Sequence, residues 1–107
     1  MHNSRGIRLS DQDLEIIKQS FIKYFLDKDH LWIFGSRADP SKRGGDIDLY
    51  IETTYKDVSI AVDSKIAFCS ELQELLGEQK IDIILNILKL DYNLPIYEVA
   101  KVGIKLV

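Results

Sequence analysis

The chain has one cysteine, Cys69, among 107 residues. A lone cysteine excludes an internal disulfide and gives no basis for a cysteine-built metal site. Long apolar runs are missing too: none approaches the roughly 20 residues that cross a bilayer. The opening residues, Met1-His2-Asn3-Ser4-Arg5-Gly6, lack the apolar centre of a secretory signal. A cytoplasmic location is therefore the expectation, with no membrane partner. Positive charge is in short supply: 14 Lys and Arg against 17 Asp and Glu leave a net charge of −3. Proteins that coat nucleic acid carry a basic excess, so direct nucleic-acid binding is not expected. There is no internal repeat, low-complexity tract or linker.

The remaining composition is that of a folded protein. A hydrophobic share of 46% supports a core, and a charged share of 29% argues against a membrane protein. The length predicts a single domain over residues 1–107. Ser10 is a candidate N-cap, with Asp13 as a weak capping-box acid. Leu14, Ile17, Phe21 and Phe25 recur at helical spacing, which predicts a helix from Asp11 to Leu26. Asp27-Lys28-Asp29 breaks it. Leu31 to Phe34 reads as a strand covered on both faces. Residues 39–45 carry loop chemistry, with Pro40, Ser41 and the Gly44-Gly45 pair. Asp46 to Glu52 alternates, with Ile47, Leu49 and Ile51 on one face and Asp46, Asp48 and Tyr50 on the other.

A second helix is predicted from Ser59 to Leu76, with Val62, Ile66, Cys69, Leu72 and Leu76 as its apolar stripe and Gly77 as its stop. Lys80 to Leu85 reads as a third strand. Pro95 can open a final short helix that ends near Gly103, and Ile104 to Val107 can add a last strand. The first two strands are too close in sequence for a helical crossover, so they are expected to pair antiparallel. The fold class is α/β (α+β): a small mixed sheet flanked by helices. Trp32 and Cys69 are expected in the core. Lys42 and Arg43 read as solvated loop charges. The five tyrosines are too scattered to suggest a stacking surface, and His2 and His30 show no partner spacing.

Chemistry concentrates where the first two strands meet. Gly35 lets the chain turn tightly and lets a phosphate approach closely. The amides around Ser36 can form an anion-binding nest, the Ser36 hydroxyl adds a donor, and Arg37 offers a planar fork to phosphate oxygens. Asp46 and Asp48, spaced i, i+2 on a strand, project to one side. Mg²⁺ is commonly held by one or two carboxylates plus substrate phosphates. Asp82 lies within the apolar Lys80 to Leu85 segment, where burying an unpaired carboxylate would be costly. If its strand neighbours that of Asp46 and Asp48, three carboxylates converge. Two metal ions could then serve an in-line displacement, with Asp82 at the attacking hydroxyl.

Gly35-Ser36, followed after residues 37–45 by Asp46-Ile47-Asp48 and later by Asp82, resembles the minimal nucleotidyltransferase (MNT) domains of the DNA polymerase β-like superfamily. The resemblance covers nearly the whole chain. It implies a polymerase β-like fold, Mg²⁺, and a nucleoside triphosphate, most often ATP. It also implies a partner, because stand-alone MNT proteins often pair as antitoxins with HEPN-domain toxins. Some transfer AMP onto a tyrosine of the HEPN ribonuclease. In these terms Asp46, Asp48 and Asp82 are catalytic and metal-binding, and Gly35, Ser36 and Arg37 bind nucleotide. The chain departs from the pattern in its residue 39–45 loop, which holds Asp39 and Pro40 where many relatives are rich in Arg and Gly. It also has no added substrate-binding domain, which favours a protein acceptor. Two other readings remain beside this one: a non-catalytic module that neutralises its partner by binding, and an aminoglycoside-type transferase acting on a small molecule.

Overall fold

The computed structural model describes residues 7–39, 45–77 and 79–107. The readings of His2, of Lys42 and Arg43, and of the Pro40 to Gly44 part of the loop lie outside them. Helix α1 spans Asp11–Tyr24, and the Ser10 hydroxyl accepts the Asp13 amide at its N-terminus, as the capping signal predicts. It ends before Leu26, because Phe25 is already extended and the Leu26 amide donates to the Asp29 carboxylate at 3.0 Å. Strand β1, His30–Phe34, runs into a 3₁₀ turn, Gly35–Ala38. Strand β2 covers Ile47–Thr53 and helix α2 Val58–Leu76. Asp57 caps α2 by accepting the Ile60 amide, so the helix begins one residue before Ser59. Strand β3, Ile81–Ile87, runs two residues further than expected, since Asn86 and Ile87 still pair with Glu52 and Thr53. After a short 3₁₀ turn, α3 spans Pro95–Lys101 and β4 spans Ile104–Lys105.

The four strands form one mixed sheet in the order β3-β2-β1-β4. β1 pairs antiparallel with β2 and β4, and β2 pairs parallel with β3 across the α2 crossover. The fold is a small α+β arrangement, as expected. On one face Ile17, Phe21, Phe25, Phe68 and Leu72 of the helices pack on Leu31, Ile33, Ile47, Leu49 and Ile51. Phe21 stacks on Phe25 at 4.9 Å, and Phe68 meets both edge-on at 6.0 Å. The helices are also tied by Glu71, which accepts from Ser20, Lys23 and Tyr24 of α1. Together these bonds hold its carboxyl down at about 2.

Two expectations about packing need correction. The buried side of α2 is Ala61, Phe68 and Leu72, while Val62 and Ile66 are exposed and Cys69 is half-buried. The helix faces its core through Ala61, Phe68 and Leu72, with Leu76 packed against it, so of the stripe read from spacing Leu72 and Leu76 meet the core while Val62 and Ile66 lie on a flank. The second correction concerns Tyr50. It shares a face with Asp48 but is fully buried, because α3 closes over that half of the sheet. Trp32 pairs across the strands with Tyr50, and their rings lie 5.2 Å apart, with Tyr97 5.5 Å from Tyr50. Trp32, Tyr50 and Tyr97, with Ala100, thus form a second, internal core on the site's side of the sheet.

At the far end of the β1–β2 pair, Asp29 is buried. Its carboxylate accepts from the Thr53 hydroxyl at 2.7 Å and from both the amide and hydroxyl of Thr54 at 2.8 Å. Among the described residues no helix is long and apolar enough to cross a membrane.

Candidate functional site

The register of the sheet brings Gly35, Asp48 and Asp82 together. Phe34, the last residue of β1, pairs with Asp48, so Gly35 lies directly beyond Asp48. Gly35 has φ of +73°, a conformation that other residues adopt at a penalty. A Cβ on it would overlap Asp48 Oδ2, so the missing side chain is where the carboxylate sits. Gly45 repeats the device: with φ of +93°, it leaves the space that a Cβ would take from the Ser36 hydroxyl. Two glycines therefore seat two of the predicted site residues. The sequence marked Gly45 as loop chemistry but not as the wall behind Ser36.

Asp82 pairs with Asp48 in the parallel register of β2 and β3. Paired residues of neighbouring strands project to the same face, so these two carboxylates are side by side. Asp46 projects to that face one step earlier. Its carboxylate lies 3.6 Å from Lys80 Nζ, an exposed ion pair that the sequence reading missed. Burial, then the charges of Asp82 and Asp46, raise the Asp48 carboxyl above its ordinary value, and Lys80 offsets part of this. Asp48 thus sits in an excess of negative charge. Asp82 itself is exposed. The cost of burial therefore gives it no special meaning, and its place beside Asp48 carries the argument. Among the described residues no group of three or more His, Cys, Asp or Glu is gathered closely enough to hold a metal ion. The Asp48–Asp82 pair, with Asp46 at its flank, suits a cation that takes further oxygen ligands from a substrate.

Neither the family models nor the curated proteins contain a match to this chain.

Arg37 is built into the walls of the site. Its guanidinium donates to the carbonyls of Arg8 at 2.8 Å and Gly45 at 3.3 Å, and to Gln79 Oε1 at 3.2 Å. Arg8 answers from the other side: its guanidinium donates to the carbonyls of Ser36 at 2.9 Å and Asp39 at 3.2 Å, and its amide to that of Arg37. The two arginines clasp the 3₁₀ turn to the segment before α1 and to the approach to β3. In this arrangement the Arg37 fork is turned to protein acceptors, not presented to an incoming phosphate. Sequence spacing could not find Arg8 or Gln79, because each meets Arg37 only through tertiary contact. What the site offers chemically is a tight turn, a hydroxyl and a paired-carboxylate patch, on a sheet face that α3 leaves uncovered at this end.

Proposed function

We infer that the chain is a Mg²⁺-dependent nucleotidyltransferase of the minimal, polymerase β-like type that moves AMP from ATP onto a protein hydroxyl. The observation that carries this reading is the seating of the Asp48 carboxylate against Gly35 while Asp82 pairs with it from the next strand. What supports a divalent cation here is the crowding of negative charge at Asp48, raised by burial, Asp82 and Asp46 and offset in part by exposed Lys80. A bound Mg²⁺, or a pair of ions, would supply charge stabilisation to the triphosphate and to the leaving pyrophosphate.

The protein's own groups then divide the work. Gly35 and Ser36 receive the phosphates, and Asp46 and Asp48 would hold the nucleotide's cation. Arg37 braces the turn on which the phosphates rest. Asp82 takes the proton of the attacking hydroxyl, or would hold a second ion beside it. The hydroxyl oxygen forms a bond to the α-phosphorus as the bond to the β-phosphate oxygen breaks and pyrophosphate leaves. The acceptor in this proposal is a tyrosine of a HEPN ribonuclease toxin, which the transfer silences, so the chain acts as an antitoxin.

Calorimetric titration with ATP tests the nucleotide site. Affinity should be weak without Mg²⁺, because the carboxylates then face the triphosphate directly. Equal affinity with and without Mg²⁺ would refute the metal-bridged site.

A further inference from the structure

The sheet has two edges of very different character. β4 is two residues long and carries Lys105, a short and charged edge of the kind that resists pairing. β3 is seven residues long, Ile81-Asp82-Ile83-Ile84-Leu85-Asn86-Ile87, with no proline or lysine. Among the described residues no strand lies on its outer side. The Ile47 amide bonds the Lys80 carbonyl at 2.9 Å, and strand backbone groups alternate sides. Residues 82, 84 and 86 therefore turn their backbone toward β2, and Ile81, Ile83, Leu85 and Ile87 present theirs outward.

This edge is complementary to itself. Read in either direction, its pattern is apolar, polar, three apolar, polar, apolar. Antiparallel pairing of two copies about Ile84 sets Ile83 opposite Leu85 and Ile81 opposite Ile87, so the outward-facing residues meet as hydrogen-bonded pairs. It sets Asp82 opposite Asn86 of the partner subunit, which avoids a like-charge pair.

A second observation points the same way. α2 packs against β3 on one side and α1 on the other. Glu71 and Leu75 face α1. Helical geometry then puts Val58, Val62, Ile66 and Cys69 on the flank away from α1, beyond the β3 edge. Three of these aliphatic residues are exposed, Val58 at 41%, Val62 at 39% and Ile66 at 56%. Two-fold pairing of the edges brings this flank against its own copy.

We propose that the protein is a homodimer in which β3 pairs with β3 of a second copy about Ile84, with α2 packed on α2 through Val62 and Ile66. The strand runs about 23 Å and the helix about 28 Å. A strip of that length and two layers deep covers on the order of 500 Å² on each copy. The total, about 1,000 Å², reaches the level of a specific interface. The inference goes beyond the nucleotidyl-transfer reading and stands without it.

Sedimentation equilibrium of the full chain should give a dimer. Ile66→Lys, on an exposed position, should keep the far-ultraviolet circular dichroism while weakening association about a hundredfold or more, since both copies lose the contact. In a Cys69→Ser background, Ile84→Cys should form a covalent dimer under mild oxidation, because only this register opposes the two sulfurs. A monomer at about 100 μM would overturn the proposal. So would a dimer indifferent to Ile66→Lys, or one that leaves position 84 uncrosslinked.

Discussion

Gly35→Ala tests the closest contact in the candidate site. Two effects add. The first is backbone: Gly35 has φ of +73°, and an alanine held there costs about 1–2 kcal/mol. The second is spatial: the new methyl would overlap Asp48 Oδ2 and lie 3.2 Å from Asp48 Cγ. A carboxylate is the mobile end of its side chain, so it can swing aside rather than force the strands apart. Leaving its rotamer well costs about 1 kcal/mol. The expected loss is about 2–3 kcal/mol, measured by urea unfolding. In an Asp48→Ala background the nearest remaining atom is Asp48 Cβ, at an ordinary 3.5 Å. There Gly35→Ala should cost only the backbone share, leaving a coupling of about 1 kcal/mol between the two positions. Mg²⁺-ATP affinity should also fall in the single Gly35 variant, since its carboxylate is displaced. An identical cost in both backgrounds would refute the seating of Asp48 against Gly35.

Asp48→Asn should hold or raise stability at neutral pH while transfer falls by orders of magnitude. The raised carboxyl of Asp48 contributes stability at low pH that is lost as pH rises through its folded value, and the amide never ionises. A variant that unfolds readily, or one that transfers normally, contradicts the assignment. Asp82→Asn should keep near-normal Mg²⁺-ATP affinity while transfer to the acceptor collapses, the mark of an interaction made in the transition state. Intact mass of the partner after incubation with ATP, alongside calorimetry, separates these outcomes, and loss of nucleotide binding would put Asp82 in the nucleotide's own metal shell. Glu71 has the opposite sign to Asp48: its carboxyl is lowered from 4.5 to about 2 by Lys23, Ser20 and Tyr24. Its contribution is present above about pH 4.5 and lost as pH falls toward 2, so Glu71→Gln should flatten the urea midpoint across that window. An unchanged acid profile would show that these bonds contribute nothing.

The elements were legible where local signals and tertiary structure agree. Alternation in Asp46 to Glu52 separated the acids from the core isoleucines, and the short link between β1 and β2 implied their antiparallel pairing. The pairing of Asp82 with Asp48 was implied by a third apolar strand needing a neighbour. The failures have physical causes. Val62 and Ile66 keep the same helical spacing as a core stripe, and spacing cannot tell a face that meets the sheet from a flank. Ala61, which does face the sheet, is too small to register in such a pattern. Trp32, Tyr50 and Tyr97 are far apart in sequence and become neighbours only through strand register and the return of α3. Arg37 looked like a free phosphate ligand because its acceptors, on Arg8, Gly45 and Gln79, come from three separate segments.

The buried carboxylate of Asp29 bears on the site from a distance. It grips Thr53 and Thr54 at the end of β2 just as the chain enters β1. A slip of one residue between those strands would turn every side chain of one to the opposite face. Asp48 would then point into the isoleucine core, and Gly35 would have no carboxylate to receive. Asp29 works as a stop at the closed end of a ruler, fixing where the marks fall at the open end. A substitution there would disturb the proposed nucleotide chemistry from a distance, and its effect would read as misalignment rather than as a lost ligand.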